Sequence, residues 1–205
     1  MDLGDAVARI VALAGHGQFE EALRLADDAF ALMRDADERV AVLEARASVI
    51  RKRDGAGPAA AMLRDAAHQF ALPGVLVAAG RLLAEVDAAR GLVLLEEAVA
   101  RAPSSFDSFM AQVARARVLL RSGDAPGAAR AILDAASHTD PGDLVATWPD
   151  REVARWLVDA GELDAVTQYI GVFERAAELH TSERAAAEVE WIRHCLLERG
   201  RKETP

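Results

Sequence analysis

Glu190, His194 and Glu198 stand four residues apart, so on a helix they share one face. A carboxylate–imidazole–carboxylate row is a donor set that zinc accepts. A metal shell also needs a full ligand count, and no HExxH motif or second cluster completes one. The row lies opposite the apolar stripe of the same segment, Ala185, Val189, Ile192 and Leu196, which makes a solvated surface the expected role. Cys195, the single cysteine, sits on the flank of that stripe; it excludes an internal disulfide framework. No His–Asp arrangement beside it points to an activated thiolate. DGAGP, residues 54–58, looks superficially like a phosphate loop, but no Lys–Ser/Thr follows it and no strand precedes it. His16 falls in a turn, while His68, His138 and His180 fall where helices end, and there an imidazole suits the dipole and the last carbonyls. These positions give no catalytic residue, no metal and no cofactor.

The elements that must position any functional side chain are helices. The chain has 205 residues, 52% hydrophobic but only 5% aromatic, so Ala, Leu and Val carry the apolar content. Ala and Leu give up little on entering a helix, and strand formers are scarce. No apolar run approaches the ~20 residues a bilayer requires, and MDLGDAVARI lacks the basic and apolar parts of a secretory signal. A cytoplasmic location and no membrane partner are the expectation. A formal net charge of −9 argues against a general nucleic-acid binder, which must neutralise phosphates. Positive charge is almost all arginine, only Lys52 and Lys202 being lysine, a bias expected of a GC-rich bacterial genome.

Turn signals divide the chain at Gly15–Gly17, 54–58, Pro73–Gly74, Pro103–Ser104, 122–124, 140–143, 148–150, Gly161 and Thr181–Ser182. Asp35 with Glu38, and more weakly Ser104 with Asp107, have the spacing of a capping box. No segment alternates with period two long enough for a strand, so the fold class is all-α. Acid–alanine pairs recur at Asp28–Ala29, Asp65–Ala66, Glu97–Ala98 and Asp134–Ala135, their alanines 37, 32 and 37 residues apart. Two helices in a period of that length read as a helical hairpin repeated along the chain. The preceding helices carry matching faces: Leu43, Ala47 and Ile50; Val75, Ala78, Ala79 and Leu82; Val153, Ala154 and Leu157. Mid-helix alanines there let a partner helix approach closely.

Gly17, Phe19, Ala22 and Ala29 in the first unit, Gly91, Ala98 and Pro103 in the third, Gly123, Ala128, Ala135 and Asp140–Pro141 in the fourth, and Gly161 with Leu163 in the fifth together resemble the tetratricopeptide repeat, in degenerate form. The usual first-helix tryptophan and tyrosine are missing from most units. The resemblance covers residues 3–179. It implies a superhelix of about five hairpins over 1–181, a capping helix over 182–199 and a disordered tail over 200–205. It also implies a groove lined by first helices, selecting Glu44, Ser48 and Arg51, then Arg117 and Arg121, then Trp148, Arg151 and Arg155. The first and third units would add Val7, Val11, Leu76, Gly80 and Leu83.

Arginines converging there would clamp a carboxylate or acidic peptide, unless neighbouring Asp and Glu pair with them. The implied function is a non-enzymatic scaffold or adaptor that binds a protein or peptide. Two alternatives stay open: a self-associating regulatory subunit, such as a homodimer, and an all-α enzyme with a pocket in the C-terminal third. In that third Trp148, Trp156, Tyr169, Phe173 and Trp191 gather, more as packing than as a ligand wall. Trp148, beside Pro149, is the one expected to be exposed.

Overall fold

The structure is a computed structural model that describes residues 2–202, with side chains through Arg199. Among the described residues there are twelve helices and no strand. Contacts divide the chain between Ala98 and Val99 into two compact units.

In the first unit α1 (Leu3–Gly15) packs on α2 (Phe19–Leu32), and both meet α3 (Ala36–Asp54). Helix α3 pairs in turn with α4 (Ala56–Gln69), and both meet α5 (Gly74–Leu83). The alanines read from the repeat, Ala22, Ala29 and Ala66, are buried. Helix α6 (Ala88–Ala100) lies so close to α5 that glycine is required on both sides. A Cβ on Gly91 would stand 2.5 Å from the Ala84 Cβ, and one on Gly80 would stand 2.7 Å from Leu95. Here the alanine position of the first hairpin shrinks to glycine because the helices approach further.

In the second unit α7 (Ser105–Arg121) pairs with α8 (Ala125–His138), and α10 (Arg151–Asp159) with α11 (Leu163–His180). Helix α10 contacts α7 and α8, and α11 contacts α8, so hairpin stacks on hairpin. Helix α12 (Glu183–Lys202) closes the unit against α10 and α11. Ala185, Val189 and Ile192 of its expected stripe are buried. The helix continues to Lys202, three residues into the segment expected to be a disordered tail; residues 203–205 lie outside the described residues. Tyr169 and Phe173 are fully buried, with Phe109 edge-on to Phe173 at 6.0 Å. Those two aromatics are packing, as their helical spacing indicates.

One turn repeats. Gly17, Gly123 and Gly161 have φ of 76°, 83° and 87°, and the N–H of the next residue donates back to a leucine carbonyl at 2.9 Å in all three. The acceptors are Leu13, Leu119 and Leu157. This is the left-handed glycine stop, which satisfies carbonyls that a helix end leaves orphaned. Three hairpins therefore turn with the same chemistry.

The helix α9 (Pro141–Thr147) is not anticipated by the turn signals on either side of it. Asp140 caps it by accepting from the Gly142 N–H, and Pro141 starts it at a position that needs no donor. It lies against α7 and α11 and ends at Trp148, whose φ of 55° and ψ of 160° suit glycine alone.

Candidate partner-binding face

Helix capping sets the register of the first helices. Asp35 accepts from the Asp37 N–H at 2.8 Å and the Glu38 N–H at 3.4 Å. Ser104 accepts from the Asp107 N–H at 3.1 Å, and Asp150 from the Val153 N–H at 2.9 Å. Asp150 is fixed twice more. Its own N–H donates to the Tyr169 hydroxyl at 3.0 Å, and its carboxylate receives Arg117 at 2.7 Å. Burial pushes the Tyr169 phenol far above its ordinary range, so it stays a neutral acceptor for that N–H. This network ties the start of α10 to both α7 and α11.

On the first unit, Glu44, Ser48 and Arg51 share an exposed face of α3. Arg51 pairs with Glu85, just beyond α5, at 2.9 Å. Glu44 has exposed area, yet the surrounding helices desolvate its carboxyl and raise its pKa above the ordinary value, an effect Arg81 on α5 opposes. Val11 is exposed as expected, whereas Leu76 and Gly80 are buried. Both lie on the apolar stripe of α5 and belong to the core, Gly80 sitting over Leu95 of α6.

On the second unit the expected arginines separate into two kinds. Arg117 and Arg151 are engaged: Arg117 with Asp150 and Glu152, Arg151 with Glu188 of α12. Arg121 and Arg155 are exposed, and among the described residues neither has a carboxylate within ion-pair distance. Arg121 stands over the Trp156 ring at 5.9 Å, and Arg151 over Trp191 at 4.9 Å. Trp148 departs from expectation: it is half-buried, and the Arg184 guanidinium covers its ring at 3.5 Å. The strained backbone turns the ring toward the start of α12. All three tryptophans thus carry an arginine, a cation–π arrangement that favours Trp over other rings.

Two shallow depressions meet at Asp159. One, of about 380 Å³, is lined by Arg121, Trp156 and Asp159; the other, of about 310 Å³, by Arg155, Asp159, Trp191 and Cys195. Asp159 borders both, so they form one track across the C-terminal ends of α7 and α10 toward α12. Burial, then Glu198, pushes the Cys195 thiol above its ordinary value, the opposite of what a nucleophile needs. His194 pairs with Glu198 at 3.3 Å, while Glu190 goes to Arg193 at 3.1 Å, so the four-spaced row is divided between partners.

Glu152, Glu188, Trp156 and Trp191 were not selected from the sequence as groove residues. A signal for the acids was present: Arg117 and Asp150 are 33 residues apart, and Arg151 and Glu188 are 37 apart. Asp150 is the N-cap of α10 and Glu188 lies on α12. Comparison with family models, with curated proteins and with solved structures gives no match. Among the described residues no helix is long and apolar enough to cross a membrane.

Proposed function

We propose that the protein is a non-enzymatic binding module, a degenerate tetratricopeptide-like array whose first helices present a face to an acidic segment of another protein. One observation carries this reading. Arg117 and Arg151 are paired, whereas Arg121 and Arg155, one turn further along α7 and α10, have no carboxylate within ion-pair distance among the described residues and border half-buried tryptophans in two depressions that share Asp159. Paired Arg117 and Arg151 hold helix to helix. Arg121 and Arg155 are left to receive a carboxylate in a bidentate fork, with Trp156 beside Arg121 and Trp191 lining the depression that Arg155 borders. The repeated glycine turns and the stacking of hairpin on hairpin support the repeat architecture.

Fluorescence anisotropy with a fluorescein-labelled peptide of alternating Glu and Leu tests the proposal. Arg121→Ala/Arg155→Ala is expected to weaken binding at least tenfold, and raised salt to weaken it further. Arg64→Ala, which removes an arginine paired with Asp65 on the first unit, is expected to leave it unchanged. Equal loss from both variants, or none from either, contradicts the proposal.

A further inference from the structure

The second unit carries another concavity, on the side of α12 away from Trp191. It is a cleft of about 570 Å³ between α11 and α12. Its floor is small and apolar, formed by Ala177, Ala186 and Val189, while Glu174, Glu178, Glu183 and Glu190 stand along its edges. The one cation in the lining, Arg193, is already held by Glu174 and Glu190. Glu178 and Glu183 are exposed, and no ion pair engages either among the described residues.

The stacking order shows what shape this cleft accepts. Helix α11 rests on α8, the second helix of the preceding hairpin, and on α10, the first helix of its own. In chain order α11 and α12 stand as α8 and α10 do, a second helix and then the first helix that follows it. Among the described residues no helix occupies the cleft. Ala186 and Glu190 on α12 therefore form an exposed face at the spacing of a helix-packing surface, with a residue at the centre small enough for close approach.

We propose that the α11–α12 cleft is the docking seat for a basic amphipathic helix of a partner protein. A helix lying there completes the hairpin step, setting a small apolar stripe on exposed Ala186, above the buried Ala177 and Val189. Its arginines or lysines reach Glu178 and Glu183 at the rim, where charge complementarity fixes orientation and raises the association rate. The surface is separate from the arginine–tryptophan track and takes the opposite charge, so its failure and that of the proposed function are distinguishable.

The probe is a fluorescein-labelled eighteen-residue helical peptide with Ala and Leu on one stripe and Arg on both flanks, alongside a version with Glu replacing every Arg. Binding of the Arg peptide to the full chain is expected, with none of the Glu peptide at this cleft. Ala186→Trp fills an exposed position, so it obstructs the seat while leaving the core intact; it should weaken the Arg peptide at least tenfold with an unchanged circular dichroism melt. Glu178→Lys/Glu183→Lys should do the same, and Arg121→Ala/Arg155→Ala should not. Undiminished binding to Ala186→Trp, or no binding of the Arg peptide to the wild type, overturns the proposal. A dimer of the peptide-free chain that Ala186→Trp dissolves, seen by sedimentation, replaces the partner helix with a second copy.

Discussion

Gly91→Ala isolates the claim that α5 and α6 touch backbone to backbone. In an open helix this change is favourable by about 1 kcal/mol, because alanine loses less freedom on entering the helix. At Gly91 the added Cβ meets the Ala84 Cβ at 2.5 Å, its Cα at 2.7 Å and its N at 2.7 Å. Two of those atoms are backbone, so no rotamer change relieves the contact and the helices must part by roughly 1 Å to restore van der Waals distance. Overpacking of this kind costs about 1–3 kcal/mol. Separation also loosens Leu95 against Gly80, which takes the cost to the upper part of that range. Net of propensity, the variant should be less stable by about 1–2 kcal/mol. Gly171→Ala in α11 is the matched control: its nearest neighbour would be the Arg175 guanidinium at 3.7 Å, an ordinary contact. That variant should gain up to ~1 kcal/mol. Urea unfolding followed by circular dichroism compares the two. Opposite signs are expected; a Gly91→Ala protein as stable as wild type would refute the close approach and the third hairpin built on it.

Three further outcomes follow from the same geometry. Tyr169→Phe strips the acceptor from the Asp150 N–H in a buried setting and should cost about 1–3 kcal/mol, read as a lower urea midpoint. Thr181 holds φ of 48° at the end of α11, costly for a β-branched residue, so Thr181→Gly should stabilise by about 0.5–1 kcal/mol despite the added chain freedom. The folded-state pKa of Glu44 lies above its unfolded value, so the native chain binds more protons just above pH 4.5 and loses stability as pH rises through that window. Glu44→Gln should therefore raise the melting temperature slightly at pH 7 and leave it unchanged at pH 3.5; an effect that grows in acid would reverse the assignment.

Much of this fold is legible in the sequence because it is built by local rules. Gly17, Gly123 and Gly161 end helices through their own backbone freedom, and Asp35 and Ser104 start them through their own side chains. The recurring alanines mark close packing because size alone decides who fits there. Helix α9 escapes for a physical reason: seven residues make too few turns to show a period, and its start is an Asp–Pro that also reads as a turn. Leu76 and Gly80 are misplaced by aligning α5 on its repeat position instead of following its apolar stripe, which buries both. The division of arginines into paired and unpaired was hidden because the partners lie 33 and 37 residues apart in sequence. Arg117 and Asp150 become neighbours only when one hairpin stacks on the next. Reading charge 33 and 37 residues ahead finds Asp150 and Glu188; Glu188 is also 33 residues beyond Arg155, so only the packing shows that it holds Arg151 instead.

The three tryptophans make the proposed binding face directly testable, since each indole N–H gives its own signal in a ¹⁵N-correlated NMR spectrum. Trp156 and Trp191 border the track, while Trp148 lies under Arg184 at the start of α12. Titration of the Glu–Leu peptide should shift the Trp156 and Trp191 indole signals in a saturable way and leave Trp148 in place. Shifts confined to Trp148, or peptide binding that moves none of the three, would contradict an acidic segment lying across α7, α10 and α12.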